Sequence, residues 1–431
     1  MSTVVRSART APTDPADSGA SGLSTALGVA AVTVLTSLPV FLPGAANGLI
    51  CAELGWSTAR TGAVLAVYWL ASLAGAFVSR RSELPAGVER TLAVALGATC
   101  VGLLCAAGAP VAGLWISSAL GGFAYGYTQP HTNALLMRRC APRLRAFAFG
   151  LKQAAVPAAT LLASAAMPLL ADPVGWRGVF AATAVPCGLG TALVVRRRAA
   201  DGRRPAAAGS GAPLPADVHL IALSCAGFFG AMVGNGLGGF LVLALTTRGA
   251  SLSAAGAVAT AGAALNIAVR LAAGWLVGRL PRLAWPALVG LFATGAVGAV
   301  LLAHRGTAPT LLGALLAYGG GWGWAGLLHY VIGLPYPGRE QRATACSQMG
   351  VSLGAAAGPL LCGVLFGRRP DALWWALAAA AAAGAACVLT AAAAGRAPAA
   401  ARRPAVTRAR VGTAGPDRGP DRVPSGSRSR S

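Results

Sequence analysis

Two basic side chains interrupt long apolar stretches of the sequence. Lys152, the only lysine, follows Arg145 by seven residues in a run that continues to Leu170, and Arg270 precedes Arg279 by nine residues. At 1.5 Å per helical residue, the two side chains would lie about 10 Å and about 13 Å inside a membrane-spanning helix. Because a bare cation is costly at that depth, each must face protein, water or an anion.

The acidic residues do not supply that partner. No Asp or Glu lies within the core of an apolar run, and the nearest is Glu53, just beyond the end of the first run. An unpaired buried charge is costly, so an anion or water must complete the pair. A guanidinium offers a planar fork suited to a carboxylate or phosphate, so Arg270 is the stronger candidate ligand. In the alternative interpretation, Arg270 bonds backbone carbonyls, while Lys152 reaches toward the inner interface and has a gating or structural role.

Other polar and aromatic side chains extend this candidate substrate site. Asn266 lies one helical turn from Arg270, on the same face. The remaining candidates are Gln153, Asn235, Gln348, His131, Tyr125, Trp322 and Trp324. Each also has a structural interpretation, because amides hydrogen-bond between membrane helices and aromatic rings pack between them.

Three of the polar residues have more specific interpretations. His131 is the best-placed group to carry a proton if the cavity carries protons, although a satisfied structural histidine is the alternative. Asn235 stands between Gly234 and Gly236, which favours a broken helix that lines the cavity, or close helix packing by small residues. His329 falls near the inner end of its run and is expected at the interface.

The composition of the chain that positions these residues predicts an all-α membrane protein. Of its 431 residues, 55% are hydrophobic and only 11% are charged, against about 25% charged residues in soluble domains. A spanning helix needs roughly 20 mostly apolar residues. Twelve charge-poor runs qualify, at 23–45, 60–79, 91–109, 112–136, 146–171, 178–195, 218–245, 253–278, 283–303, 309–334, 343–367 and 372–394.

The net charge of +23 comes mainly from arginines in short loops and in the C-terminal tail. Because no basic helix with interleaved aromatic residues is present, nucleic acid is not an expected partner, and the tail suits anionic lipid instead. The loops that carry most arginines are expected on the inner side. This rule predicts a multi-pass protein of the cell membrane with both termini cytoplasmic.

Composition also divides the chain. Residues 196–217 are polar and form a predicted cytoplasmic linker between two six-helix bundles. The bundles are 23–195 and 218–395, and the predicted disordered tails are 1–22 and 396–431.

An internal repeat supports two halves of equal size. A shift of 195 residues places Lys152-Gln153 on Ser347-Gln348, and a shift of 194 places Gly62-Ala63-Val64 on Gly256-Ala257-Val258. Parallel repeats of six helices occur in transporters.

Three segments resemble the bacterial permeases of the major facilitator superfamily. They are Gly150-Leu-Lys152-Gln153-Ala-Ala-Val156-Pro157, Gly175-Trp176-Arg177 and Gly321-Trp322-Gly323-Trp324-Ala-Gly326. One segment departs from the family pattern. The loop from Gly75 to Pro85 lacks the aspartate of the family's Gly-x-x-x-Asp-Arg-x-Gly-Arg-Arg motif, and Glu83 is the nearest substitute.

The resemblance implies the fold of that superfamily, with twelve transmembrane helices in two pseudo-symmetric six-helix bundles. It also implies an alternating-access carrier of a small-molecule substrate, here expected to be an organic anion, with proton or exchange coupling. We expect a monomer without cofactor or metal, and no enzyme activity. Efflux of neutral or amphipathic compounds is the alternative. A polytopic membrane enzyme is remote, because the inner loops offer mainly arginine rather than clustered catalytic groups.

Overall fold

The computed structural model describes residues 15–81, 87–201, 214, 217–369 and 371–401, and its regular elements there are all helical. Twelve long helices follow one another: α1 (Pro15–Ala45), α2 (Thr58–Arg81), α3 (Gly87–Gly108), α4 (Pro110–Arg139), α5 (142–174), α6 (176–201), α7 (Val218–Thr247), α8 (Leu252–Arg279), α9 (Ala284–Ala303), α10 (Thr307–Gly333), α11 (Glu340–Arg368) and α12 (Ala372–Ala401). A short helix, Asn47–Leu54, joins α1 to α2.

The predicted twelve-helix fold is confirmed. Eleven of the helices are long and apolar enough to cross a membrane. The other is α4, which carries Gln129, His131 and Asn133 and packs against α1, α2, α3 and α11. These polar side chains are buried in protein and do not face lipid, which makes them tolerable in a spanning helix.

Several helix ends differ from the sequence prediction. Helix α1 begins at Pro15, before the expected start at residue 23, and α6 continues to Asp201. The elements α5 and α6 join at Gly175, whose φ of 69° is easily adopted only by glycine. Helix α12 likewise continues to Ala401, past the expected end at residue 395. The rest of the predicted tails and most of the predicted linker, residues 1–14, 202–213, 215–216 and 402–431, lie outside the described part of the chain, as does Glu83.

The first bundle (α1–α6) meets the second (α7–α12) mainly along two helix pairs, α2 with α11 and α5 with α8. In the first pair, the hydroxyl oxygens of Ser72 and Ser352 are 2.8 Å apart. In the second, a Cβ on Gly274 would lie 2.6 Å from the carbonyl oxygen of Ala146, so only glycine permits this approach. Small residues allow the backbones of membrane helices to pack this closely.

These contacts concentrate toward one end of the molecule. We call it the arginine-rich end, because the helix ends and connections there carry basic residues such as Arg81, Arg139, Arg143, Arg279 and Arg339. Here Gly278 of α8 packs on the backbone of Arg143, and Gln341 of α11 donates to the carbonyl oxygen of Ser79 at 3.0 Å. The two bundles are therefore closed against each other at the arginine-rich end.

Candidate functional site

A cavity lies between the bundles, lined by residues of eight helices. The lining residues are Phe41, Trp69, Tyr125, Gln153, Val156, Ala231, Asn235, Arg270, Trp322, Trp324, Ala325, His329, Gln348 and Val351. Seven of the ten predicted site residues are among them, whereas Lys152, Asn266 and His131 are not. The free volume of about 30 Å³ suffices for one or two water molecules. The cavity is therefore too small for a larger solute, which requires the bundles to move apart.

Arg270 of α8 is 2% exposed and crosses between the two bundles. Its Nη1 donates to the carbonyl oxygen of Gln153 in α5, and its Nη2 donates to that of Trp322 in α10, both at 2.5 Å. Its Nε is buried and has no hydrogen-bond partner among the described residues. A guanidinium has five N–H donors, so Arg270 can both tie helices together and present free donors to an anion.

The carbonyl groups that Arg270 and Asn266 bind are released by an irregularity in α10. That helix changes to a π-helical turn over Ala317–Gly321 and resumes at Ala325. Asn266 Nδ2 donates to the carbonyl oxygen of Tyr318 at 2.6 Å, one turn before the carbonyl bound by Arg270. Because freed backbone groups in a membrane helix must find other partners, the polar pair on α8 completes the hydrogen bonding of α10. Asn266 is thereby placed beside the π turn and does not reach the cavity.

Lys152 is fully buried and faces α4. Its ammonium donates to the carbonyl oxygen of Gln129 at 3.0 Å and to Oδ1 of Asn133. Successive residues on a helix point about 100° apart. Gln153 faces the cavity, so its neighbour Lys152 points toward α4 and does not line the cavity.

The two buried histidines have different surroundings. His131 contacts the carbonyl oxygen of Tyr127 at 2.7 Å and the hydroxyl of Ser79 at 3.3 Å, away from the cavity. His329 was predicted at the interface, which is wrong: it is 1% exposed and lines the cavity. It follows Trp322 by seven residues, a helical spacing that repeats the same face and could have revealed it.

Aromatic rings form much of the cavity wall, and α7 has glycines where two of them pack. A Cβ on Gly230 would lie 2.3 Å from the ring of Trp324, and one on Gly234 would lie 2.4 Å from the ring of Trp322. Helix α7 is continuous, so the broken helix expected at Asn235 is absent. The glycines serve tryptophan packing, while Asn235 donates to the carbonyl oxygen of Ala231 in its own helix at 2.9 Å and still lines the cavity.

The sequence matches the family model of the Major Facilitator Superfamily over residues 27–340, about three quarters of the chain. The chain belongs to this superfamily. Major facilitator proteins are transporters, and the two-bundle fold with a central cavity agrees with that membership. No curated protein matches the chain.

Two solved structures share the major facilitator fold with this chain. The proton:xylose symporter XylE, bound to 6-bromo-6-deoxy-D-glucose, is 13% identical with a TM-score of 0.68, over 85% of this chain and 94% of that one. The human organic anion transporter MFSD10 (TETRAN) is 15% identical with a TM-score of 0.66, over 88% of this chain and 100% of that one. At these identities the similarity establishes the fold alone.

The three segments that resemble the superfamily form a close packing point, a bend between helices and part of the cavity wall in this major facilitator protein. Gly150 lies where α5, α8 and α10 converge: its own Cβ would be 2.4 Å from the carbonyl oxygen of Arg270, and a Cβ on Gly326 would be 3.0 Å from the Cα of Gly150. Gly175 forms the bend between α5 and α6. The segment with Trp322 and Trp324 spans the irregular part of α10 and lines the cavity.

Proposed function

We propose that the protein is a secondary active transporter that carries a small organic anion by alternating access. One observation carries the proposal: the buried Arg270 lines the interbundle cavity, and its Nε has no hydrogen-bond partner among the described residues. The described Asp and Glu residues all lie near helix ends or in connections. A buried cation of this kind favours an anionic solute, because the solute supplies the missing negative charge.

The remaining lining residues suit an anion with an apolar body. The amides of Gln153 and Gln348 add hydrogen-bonding groups to those of Arg270. The aromatic walls favour an apolar or planar group attached to the charged one. Lys152 acts in this scheme as a positioning group that holds α5 against α4.

Alternating access would follow from the contacts between the bundles. The arginine-rich end, which the positive-inside rule assigns to the cytoplasm together with both termini, is closed in this conformation. Opening it requires α5 to separate from α8 and α2 from α11, while the bundles 23–195 and 218–395 move as units. We propose that the protein works as a monomer in the cell membrane.

The similar structures support a transporter of small solutes without deciding the class of solute. One is named an organic anion transporter and the other a proton:xylose symporter. A second candidate function is efflux of neutral or amphipathic compounds. It is favoured by the aromatic side chains of the cavity, Phe41, Trp69, Tyr125, Trp322 and Trp324. Arg270 would then serve only to hold α8 to α5 and α10.

Uptake into proteoliposomes tests these alternatives. The labelled probes are benzenesulfonate, lactate and phosphate as anions, tetraphenylphosphonium as a cation, and N-phenyl-1-naphthylamine as a neutral amphipath. We expect uptake of an organic anion, lowered at least about tenfold, or about 1.4 kcal/mol, by Arg270→Gln. Arg279→Gln is the matched control, because Arg279 lies on the same helix but stacks on Trp275 outside the cavity.

Folding is checked separately, because Arg270 also bonds two carbonyl groups. Each variant is compared with the wild type by size-exclusion profile and apparent melting temperature, and Arg270→Lys provides a variant that keeps the charge. Transport of tetraphenylphosphonium or the neutral amphipath alone, unaffected by Arg270→Gln in folded protein, would overturn the anion proposal.

A further inference from the structure

His329 has a hydrogen-bonding arrangement that leaves one ring nitrogen available. Its Nδ1 lies 2.7 Å from the carbonyl oxygen of Ala325, one turn earlier in α10. A carbonyl oxygen only accepts, so Nδ1 carries the hydrogen, and Nε2 of the neutral ring bears a lone pair. That Nε2 is buried and has no hydrogen-bond partner among the described residues. His329 is one of the residues that line the cavity, so a residue of the cavity wall carries a basic nitrogen without a described partner.

Two positive charges act on this ring from neighbouring helices. They belong to Lys152 of α5 and Arg270 of α8. The other facing groups are uncharged: Tyr125 of α4, Asn235 of α7 and Gln348 of α11 line the same cavity. The described carboxylates lie near helix ends or in connections, so none of them counters the two cations beside His329.

This electrostatic setting links the charge of His329 to the contents of the cavity. Protonation of Nε2 adds a third positive charge beside two others, which is unfavourable while the cavity holds only water. A bound anion offsets part of that repulsion and favours the protonated ring. Linkage is reciprocal, so a proton on His329 must strengthen anion binding by the same factor by which the anion strengthens proton binding.

We propose that His329 is the proton-binding site of an anion–proton symport, in which Nε2 carries one proton together with each monovalent anion held at Arg270. The inference rests on the proposed anion transport. On one side of the membrane a hydronium ion gives up a proton: its O–H bond breaks and an N–H bond forms at Nε2. On the other side that N–H bond breaks and the proton returns to a water molecule as hydronium. No electrons are transferred, and the net charge moved is zero.

The competing assignment for the proton site is His131, which also has a buried Nε2 without a partner among the described residues. Its ring lies between Ser79 and Tyr127, at the packing of α2 against α4, and it does not line the cavity. A proton there would not share a cavity with the anion. The geometry therefore favours His329 over His131 as the coupled group.

The test measures anion and proton movement together in proteoliposomes that contain a pH-sensitive dye. Benzenesulfonate and lactate are the probes, and benzenesulfonate is decisive because it stays ionised between about pH 5 and 8, where histidine titrates. Any proton that accompanies it must be carried by the protein. For the wild type we expect about one proton per anion, and uptake about tenfold faster with the acidic side outside, within the usual range of coupling between two sites.

Variants assign the proton to a residue. In His329→Gln we expect the pH gradient to lose its effect on uptake, while labelled anion still exchanges for unlabelled anion at a measurable, reduced rate. That residual exchange demonstrates folded protein. His304→Gln is the matched control, because His304 is exposed and bonds the carbonyl oxygen of Val300 at the end of α9; it should keep the wild-type proton ratio.

The outcomes separate the two proposals. Anion uptake by the wild type without proton movement, or a proton ratio that persists in His329→Gln and disappears in His131→Gln, would overturn the assignment to His329. Failure of the wild type to take up either anion would overturn the proposed anion transport itself, and this inference with it.

Discussion

Arg177, in the first turn of α6, is ion-paired with Glu53 of the short helix between α1 and α2. The same carboxylate accepts a hydrogen bond from Trp176 Nε1 at 2.5 Å. The second bundle has a corresponding ion pair, Arg248 with Asp371 at 2.9 Å, in which the acidic and the basic positions are exchanged. The internal repeat relates Glu53 to Arg248 by a shift of 195 and Arg177 to Asp371 by a shift of 194. Each pair ties the first connection of its bundle to the beginning of its last helix.

The Glu53 carboxylate should stabilise the first bundle mainly through Trp176. The ion pair with Arg177 is about 40% exposed, with side-chain values of 42% and 41%, and exposed pairs contribute only about 0–1 kcal/mol. Trp176 is 3% exposed, and an unsatisfied buried donor costs about 1–3 kcal/mol. Glu53→Ala should therefore lower the apparent melting temperature more than Arg177→Ala. Glu53→Gln, which keeps an acceptor, should resemble Arg177→Ala. Equal effects of Glu53→Ala and Arg177→Ala would contradict this explanation.

Gly150 should be essential for closure at the arginine-rich end. A methyl group there would stand 2.4 Å from the carbonyl oxygen of Arg270 across the interface between the bundles, and backbone cannot yield as a flexible side chain can. Gly150→Ala should shift the population toward a conformation open at that end. Distances between spin labels at positions 141 and 339, in a cysteine-free background, would lengthen. Gly256→Ala is the matched control, because no atom lies within 4 Å of its added Cβ. Unchanged distances in folded Gly150→Ala would refute the prediction.

Much of the fold follows from apolar runs and arginine placement, because spanning length and loop charge act over whole segments. The direction of individual side chains is harder to predict. Lys152 and Gln153 are neighbours in sequence, yet one faces α4 and the other the cavity. The π turn of α10 was not predicted, because the groups that satisfy its two released carbonyl oxygens, Asn266 and Arg270, belong to another helix, α8.

The misplacement of His329 has a similar origin. Its distance from the end of the apolar run suggested an interfacial position, but burial depends on the helices that surround α10. Likewise, Gly234 next to Asn235 could equally indicate a break or a packing site. Only the position of Trp322 identifies the glycine as a packing site. Sequence patterns therefore predict how far along a helix a residue lies more reliably than they predict which neighbouring helix its side chain contacts.

Asn133 should matter for stability because it accepts a hydrogen bond from the buried Lys152 ammonium. Asn133→Ala leaves that ammonium with the carbonyl oxygen of Gln129 as its remaining described acceptor, and hydrogen bonds to charged groups contribute about 1.5–3 kcal/mol. Lys152→Met removes the charge at similar volume and should cost less, since an apolar replacement also removes the desolvation penalty. The double variant should be no worse than Asn133→Ala alone. The apparent melting temperatures of the wild type, the two single variants and the double variant form a double-mutant cycle. If the effects of the two single variants simply add in the double variant, the two residues are not coupled.

Tyr336, in the connection between α10 and α11, should give the protein an alkaline limit of stability. Its hydroxyl donates to both carboxylate oxygens of Asp217, at 2.9 and 2.8 Å, and Asp217 also caps α7 by accepting from the backbone N–H of Leu220. Burial, followed by the hydrogen bond to Asp217 and its negative charge, raises the pKa of Tyr336 above the ordinary value of about 10.

The sign of the pH effect follows from that raised pKa. Folding favours the protonated phenol, so its contribution is fully present below about pH 10, the pKa in the unfolded chain, and declines as the pH rises toward the folded-state pKa. Tyr336→Phe should lower the apparent melting temperature by a constant amount between about pH 6 and 9, corresponding to about 1.5–3 kcal/mol for hydrogen bonds to a charged acceptor. Above about pH 10 the difference should shrink, because only the wild type loses a proton-dependent contribution. Tyr127→Phe, whose ring stacks on Phe123, is the control for general loss of a hydroxyl. A difference that grows above pH 10 would contradict the assignment, because it would mean that folding favours the phenolate.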